Sequence, residues 1–211
     1  MTQPLPAFFL ADSPGLDFLN SVATPVDTPL DWLEDGEGLL SWLEQAQWVP
    51  QDVLSAIRAH AIPGEIDRLA AQARSLREWF RTFVRTHRGH PLKATDLAEL
   101  EPLNALLKRN QGFHQVVAEQ SGALFAFRLL RSRRWDSPET LLLPIAEALA
   151  DLVCSEDFSY VKACEGPTCT LLFADHTRGH ARRWCSMSHC GNRAKQAAHR
   201  RRLKAESPSH A

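Results

Sequence analysis

The segment Cys164-Glu165-Gly166-Pro167-Thr168-Cys169 is followed, after fifteen residues, by Cys185-Ser186-Met187-Ser188-His189-Cys190. Each segment carries two cysteines that are separated by four residues. Two close cysteine pairs with a short spacer are typical of a site that holds zinc through four thiolates in a tetrahedron. We therefore predict that one structural Zn²⁺ ion is bound by Cys164, Cys169, Cys185 and Cys190.

Two other interpretations of this segment stay open. The four thiols could be reduced and bind no metal, although the symmetry of the two pairs argues against this. One ligand could also be a histidine, because sites with three cysteines and one histidine are common. His189, which directly precedes Cys190, is the best substitute, and His176, His180 and His199 compete with it.

The residues around the cysteines predict a small treble-clef-like module. We expect a strand, a turn that holds the first cysteine pair, a β-hairpin, and a helix that carries the second pair. Gly166 and Pro167 permit the tight turn of the first pair. Composition from Ser186 onward is typical of a helix, with Cys190 in its first turns. The predicted strands cover residues 159–163, 171–173 and 181–184, and the turn of the hairpin covers residues 176–180.

The charge of the chain is unevenly distributed. Residues 1–159 contain 14 Lys and Arg against 22 Asp and Glu, whereas residues 160–211 contain 10 against 3. Four thiolates around Zn²⁺ carry a charge of −2, so the basic excess of the module falls from +7 to +5. A basic helix on a metal-stabilised module indicates binding to nucleic acid, most readily duplex DNA. The side chains that we expect at phosphates are Arg178, Arg182, Arg183, Arg193, Lys195, Arg200, Arg201 and Lys204.

Other functions remain open at this point. The basic helix could only keep the protein soluble, or it could clamp onto the acidic body of the same molecule. The module could also be a protein-interaction adaptor in which zinc only holds the fold, or it could bind RNA. We do not expect an enzyme, because four cysteines leave no open position on the metal. The sequence also lacks a Gly-rich phosphate loop, a nucleophile elbow and a His-Glu-x-x-His motif.

The residues before the module are predicted to be mainly helical. The clearest helix covers residues 65–87, where apolar residues recur every three or four positions. Its arginines are expected on a solvated face. Asp35 and Pro50 are predicted to start two further helices, and Ser137-Pro138 a third. This third helix contains Cys154, which we expect to be buried.

A hairpin is predicted over residues 113–118 and 123–130, beside a Leu-rich helical segment that starts near Thr95. The expected fold is therefore mainly α with a small β component: a helical body over residues 1–157, the zinc module over 158–205 and a disordered tail over 206–211. No stretch approaches the roughly 18 apolar residues of a membrane span. The N-terminus has no basic region or cleavage site of a signal peptide, so we expect a cytoplasmic protein with no membrane partner.

Several motifs resemble a known family. Arg183-Trp184-Cys185-Ser186-Met187 and Cys190-Gly191-Asn192-Arg193-Ala194-Lys195, with Phe173, Asp175 and Arg178, resemble the CGNR zinc finger. Leu16-Asp17-Phe18-Leu19-Asn20-Ser21-Val22 resembles the ABATE domain that precedes this finger in bacterial proteins, with Ser21 where Thr is expected. The resemblance implies a stress-induced transcription regulator. Its finger would bind DNA, and its body would sense a small-molecule effector or form a homodimer.

The motif residues have roles that can be anticipated physically. Gly191 is expected to let the backbone approach the metal cage closely. Asn192 could hydrogen-bond a turn or a thiolate sulfur. Arg193 could offset the charge of the cage or bind a phosphate, and these two roles compete.

Overall fold

The computed structural model describes residues 6–24, 28–110, 112–121 and 124–206. Helices make up 53% of the residues that the structure describes, and strands 15%. The predicted fold class, mainly α with a small β component and a C-terminal cysteine module, is confirmed. Of the tail predicted over residues 206–211, Glu206 ends the last helix and the rest lies outside the described residues.

The body is built from helices with short strands between them. Its helices are α1 (Pro14–Leu19), α2 (Gly36–Ala46), α3 (Gln51–His60), α4 (Glu65–His87), α5 (Glu101–Leu107) and α6 (Leu142–Ser155). Segments of 3₁₀ helix cover Ala94–Leu100, Pro138–Leu141 and Phe158–Tyr160. Strand β1 (Val22–Ala23) pairs with β2 (Leu30–Asp31), and β3 (Gly112–Ser121) pairs with β4 (Leu124–Arg133), both antiparallel.

The C-terminal module follows directly. Strand β5 (Val161–Ala163) pairs antiparallel with β6 (Leu172–Ala174). A π-helical turn over Met187–Gly191 then leads into α7 (Asn192–Glu206). No helix among the residues that the structure describes is both long and apolar enough to cross a membrane.

The predicted helix starts are mostly confirmed. The Asp35 carboxylate accepts a hydrogen bond from the Gly38 N–H at 2.8 Å and so caps α2, and Pro50 directly precedes α3. Helix α4 has the predicted bounds. Pro138 starts a 3₁₀ segment rather than an α-helix, and the regular helix α6 begins only at Leu142.

The prediction of a solvated arginine face on α4 is wrong for two residues. Arg77 and Arg81 are only 2% and 5% exposed. Arg77 donates two hydrogen bonds of 2.8 Å to the Asp31 carboxylate, and Arg81 donates to the Leu19 and Val22 carbonyls. The buried arc of α4 is wider than one apolar stripe because α1 and α2 both pack against this helix.

The predicted burial of Cys154 is also wrong. Its side chain is exposed, whereas Leu149 and Leu152 on the same helix are fully or almost fully buried. Cys154 lies two residues after Leu152, which places it about 200° around the helix and on the solvent side of α6.

The body and the module share one continuous core. Strand β6 lies against α1, and Phe173 on β6 is fully buried. The Asn20 side chain bonds both backbone groups of Leu172, donating to its carbonyl at 2.8 Å and accepting from its N–H at 2.9 Å. The Ala174 N–H donates to the Ala11 carbonyl at 2.8 Å. The module is therefore built onto α1 and the chain that precedes it.

Candidate metal centre

The four predicted cysteines come together in one cluster. The Sγ atoms of Cys164, Cys169, Cys185 and Cys190 all lie within 4.8 Å of one another. The Cys169 and Cys185 sulfurs are 3.9 Å apart. A tetrahedron with Zn–S bonds of about 2.3 Å requires sulfurs that are roughly 3.8 Å apart. The cluster therefore has the size of a zinc site.

Two turns supply the ligands. Cys164 directly follows β5, and its N–H donates to the Leu171 carbonyl at 2.9 Å, while the Cys169 N–H donates to the Gly166 carbonyl at 3.1 Å. Cys185 and Cys190 flank the other turn, where the Ser186 hydroxyl accepts from the His189 N–H at 3.0 Å. The Cys190 N–H donates to the Ser186 carbonyl. Hydrogen bonds within each turn thus hold the cysteine pairs in place without a metal.

The backbone approaches the cage most closely at Gly166. A Cβ atom at this position would lie 3.0 Å from both the Cys190 Sγ and the Cys169 Cβ, and 3.6 Å from the Cys164 Sγ. The sequence predicted this role for Gly191, and that prediction is wrong. A Cβ at Gly191 would instead meet the Met187 Sδ at 2.6 Å and the Trp184 Cδ1 at 3.3 Å.

Hydrogen bonds to sulfur support thiolates in the cage. The Cys164 Sγ accepts from the Cys185 N–H at 3.2 Å and from the Gly166 N–H at 3.5 Å. The Arg193 Nη2 donates to the Cys190 Sγ at 3.1 Å, and its Nε donates to the His189 carbonyl at 2.9 Å. Of the two roles anticipated for Arg193, the structure shows the one in which it offsets the negative charge of the cage.

The protein alone cannot ionise all four thiols at neutral pH. Hydrogen bonds from Cys169 and Cys185 lower the pKa of Cys164. The hydrogen bond between Cys169 and Cys164 raises the pKa of Cys169 to about 12. The pKa of Cys185 is also raised, and the largest cause is its hydrogen bond with Cys164. Closely spaced thiolates repel one another, so this group of ligands is suited to a dication that replaces their protons.

The histidines near the cluster make other contacts. The His189 Nδ1 lies 2.9 Å from the Ser186 hydroxyl, and its ring packs edge-on against Phe8. His176 pairs with Glu156 at 2.7 Å, and the His180 ring stacks on Tyr160 at 3.4 Å. Because the four cysteines alone complete the cluster, the alternative with a histidine ligand is not supported.

A buried carboxylate organises the loop between the cysteine pairs. Asp175 is fully buried, and it accepts from the Lys162 Nζ at 2.7 Å, the Thr177 hydroxyl at 2.6 Å and the Arg182 N–H at 2.9 Å. Burial by itself raises the pKa of Asp175, but these hydrogen bonds more than offset it, so the pKa is lowered. The carboxylate therefore stays ionised in the folded protein.

The strand predicted over residues 181–184 is wrong. This segment has no regular pairing, because side chains bind its backbone in place of a neighbouring strand. Asp175 accepts from the Arg182 N–H at 2.9 Å, and the Lys162 Nζ donates to the Arg182 carbonyl at 3.5 Å. One backbone bond, from the Glu165 N–H to the Arg183 carbonyl at 3.0 Å, ties the segment to the first cysteine turn.

Arg182 joins the module to the body. Its guanidinium pairs with Asp12 and donates to the Leu10 carbonyl at 2.9 Å, and it also donates to the Cys185 carbonyl. It lies 4.3 Å from the centre of the Phe173 ring. Because these contacts occupy its guanidinium, Arg182 is not available to bind a phosphate.

The other predicted phosphate-binding residues whose side chains the structure describes are at the surface. Arg183 pairs with Glu165 at 2.6 Å, in a contact where both side chains are about half exposed. Lys204 lies in α7, but its side chain is outside the described part of the chain. The sequence analysis did not include Arg202, although it belongs to the same basic run as its two neighbours. Among the described side chains of the module, the exposed cations are Arg178, Arg183, Arg193, Lys195, Arg200, Arg201 and Arg202.

Comparisons with known proteins agree with this architecture. Residues 12–156 match the ABATE family, described as "Putative stress-induced transcription regulator", and residues 160–203 match the CGNR zinc finger. No curated protein matches the chain. The finger match and the four close cysteines together fit one structural zinc ion. Since the first match covers well over half of its residues, the chain belongs to the ABATE family and carries a C-terminal CGNR zinc finger.

Proposed function

We propose that this protein is a zinc-dependent transcription regulator that binds duplex DNA through α7. The observation that carries the proposal is the run of exposed cations on α7, which begins directly at the metal cage. Lys195 and Arg200–Arg202 are exposed, and among the described residues none of them pairs with an acid. The rival role of α7 as a clamp on the acidic body is therefore not favoured.

The position of α7 suits a helix that projects toward a partner. Its start is fixed by the turn that contains Cys190 and Gly191, both buried. Ala194 and Ala197 are half-buried, whereas the residues from Ala198 to Arg202 are exposed. Within the described part of α7, the first turns are held by the rest of the protein, and the exposed segment from Ala198 to Arg202 is available for binding.

The distribution of charge around α7 favours a groove over a flat surface. At 100° per residue, Lys195 and Arg202 lie close together on one flank, and Arg200 lies on the other, roughly 150° away. The major groove of DNA admits an α-helix and has phosphates along both of its walls. A helix of 15 residues is about 22 Å long, which is enough to cross such a groove.

Salt dependence of DNA binding tests the proposal. If about five cations contact phosphates, a plot of log K against log salt on duplex DNA should have a slope of roughly −4 to −5. Fluorescence anisotropy with the full zinc-loaded protein measures this slope. Replacing Arg200–Arg202 with glutamate should abolish binding at the salt concentration where the wild type is half-bound.

A matched control separates a specific surface from net charge. Arg85, Arg88 and Arg109 are exposed on the body, and replacing them with glutamate changes the net charge by the same amount. We expect this control to bind DNA nearly as well as the wild type. Equal losses in both triple variants, or no binding by the wild type at low salt, would refute the proposed surface.

The same experiment distinguishes the other two functions. A structured RNA that competes with duplex DNA at much lower concentrations would show that the helix recognises RNA. A protein partner whose binding survives the Arg200–Arg202 substitutions would favour the adaptor, in which zinc serves only the fold.

A further inference from the structure

The β3–β4 ribbon has one strongly apolar face that is open to solvent. The register pairs Val116 with Leu129 and Ala118 with Phe127, and side chains of directly paired residues lie on the same face. Phe125 lies two residues before Phe127 on β4, so its side chain is on the same face. The exposed fractions are 68% for Val116, 68% for Phe125, 80% for Phe127 and 66% for Leu129. The body covers none of these four side chains to any large extent.

The opposite face of the ribbon has a different character. It carries Glu119 and Arg128, whose side chains form an ion pair of 3.5 Å, while Phe113 and Val117 on this face are half-buried. The polar residues on this face are suited to water. The two faces thus differ as they do in a sheet that packs a second layer on one side only.

An isolated ribbon of this kind is marginally stable by itself. Two strands in water generally need a third strand or a packed layer against their apolar face. The four side chains expose on the order of 400 Å² of apolar area. This is within the range of the largest apolar patch on a typical monomer, and such patches are often binding sites.

The apolar face has a shape that fits a copy of itself. Strand β4 contributes the large residues Phe125, Phe127 and Leu129, which form a ridge along one side of the face. Strand β3 contributes Val116 and Ala118 beside them, which form a shallow groove. A two-fold axis parallel to the strands would place the ridge of one ribbon over the groove of the other. An interface between two identical chains requires this kind of self-complementary surface.

We propose that the protein forms a homodimer in which the apolar faces of two β3–β4 ribbons pack against each other. Each protomer of a stable complex buries roughly 800 Å². The exposed apolar side chains would supply about half of that area, and the backbone with the polar neighbours on the same face, His114, Gln120 and Arg131, would supply the rest. This proposal does not depend on DNA binding.

The association state of the full-length, zinc-loaded protein tests the dimer. We expect light scattering and sedimentation velocity to give twice the mass of the chain. Phe127→Glu should shift the protein to a monomer and leave the far-UV circular dichroism and zinc content unchanged. Ala126→Glu is the matched control, because it adds the same charge on the adjacent residue but on the opposite face, and it should remain a dimer.

Cross-linking tests the arrangement of ridge and groove. Cys154 is exposed, so the background for this experiment is Cys154→Ala. Packed sheets lie about 10 Å apart, too far for a disulfide, so the reagent is a short bismaleimide. A mixture of the Ala118→Cys and Phe127→Cys proteins should give a cross-linked dimer, and more of it than either protein alone. A wild type that is monomeric at every accessible concentration overturns the proposal, as does a dimer that Phe127→Glu leaves intact. Monomers that bind neutral phosphatidylcholine vesicles through this face would assign the patch to lipid.

Discussion

At the scale of single residues, the cage depends on a position that lacks a side chain. The backbone of Gly166 lies beside the sulfurs, and an added Cβ would press on atoms that bound zinc would hold in place. Gly191, which directly follows Cys190, faces the flexible end of Met187, which is 48% exposed. The two glycines therefore have different reasons to be glycine.

We predict that Gly166→Ala weakens zinc binding strongly and Gly191→Ala only slightly. Overpacking against fixed atoms costs about 1–3 kcal/mol, whereas the Met187 side chain can rotate away. Competition for zinc with a chromophoric chelator measures both affinities. Equal affinities for the two variants would show that Gly166 does not limit the geometry of the cage.

Asp17 is a buried carboxyl group with an unusual pKa. Burial raises its pKa from 3.8 to about 6, although its Oδ1 accepts hydrogen bonds from the Leu10 and Ala11 N–H groups. The negative charge of Asp12 also raises the pKa slightly. At neutral pH the folded protein therefore bears the cost of an ionised, partly desolvated carboxylate.

We predict that Asp17→Asn changes the pH dependence of stability. Because the pKa is higher in the folded than in the unfolded chain, this group makes the wild type more stable as pH falls from about 6 to 3.8. Asparagine keeps the acceptor oxygen and does not titrate. The free energy of unfolding of the variant relative to wild type should therefore fall by about 2–3 kcal/mol from pH 7 to pH 4. Denaturant titrations at several pH values measure it, and parallel curves would contradict the assignment.

At the scale of secondary-structure elements, α1 and its flanks explain the motif Leu16-Asp17-Phe18-Leu19-Asn20-Ser21-Val22. Its apolar residues fill the core, and each of its buried polar side chains has a specific partner. Asp17 binds the preceding chain, Asn20 binds β6, and the Ser21 hydroxyl accepts from Arg77 at 3.1 Å. The hydroxyl is the group that Arg77 uses, so Ser can take the place of the Thr expected from the family.

The buried arginines of helix α4 donate hydrogen bonds to this motif, Arg77 to the Ser21 hydroxyl and Arg81 to the Leu19 carbonyl. We predict that Arg77→Met lowers the free energy of unfolding by about 3 kcal/mol, because it leaves the half-buried Asp31 without its two-pronged partner. Burial by itself raises the pKa of Asp31, but the hydrogen bonds from Arg77 are part of what lowers it overall.

The control is Arg85→Met on the exposed side of the same helix. This change should stay within about 0.5 kcal/mol of the wild type in urea titrations. If the two variants lost similar amounts of stability, the contact between Arg77 and Asp31 would contribute nothing beyond a surface charge.

At the scale of the whole molecule, the zinc module cannot be separated cleanly from the body. Strand β6 is bonded to Asn20 and Ala11, and Arg182 is bonded to Asp12 and Leu10. A module of this size depends on its metal, so its unfolding would uncover one side of α1.

We predict that removing zinc with a chelator loosens α1 together with the module. Hydrogen exchange read by mass spectrometry should show lost protection in β5, β6 and α7, and also in α1, while α3 keeps its protection. Protection of α1 that is unchanged in the metal-free protein would show that the body holds this helix without help from the finger.

The elements that the sequence predicts well are those whose signals are local. The apolar spacing over residues 65–87, the helix cap at Asp35 and the two predicted strands of the β3–β4 hairpin each depend on a few neighbouring residues. The strand expected over residues 181–184 and the burial of Cys154 failed because both depend on residues elsewhere in the chain. The Arg182 N–H, which would bond a neighbouring strand, donates to Asp175 instead. The packing of α6 against the core decides which side of this helix faces water.

The sequence by itself indicated the four-cysteine cluster, the mainly helical fold and the excess of positive charge at the C-terminal end, because ligand spacing, apolar period and charge are properties of short stretches of chain. Only the tertiary structure decided which arginines are free to meet a partner. Arg77, Arg81 and Arg182 look like surface cations in the sequence, yet each is held by acceptors that lie tens to over a hundred residues away. Burial and pairing across such distances depend on the packing of whole elements, and no local pattern carries that information.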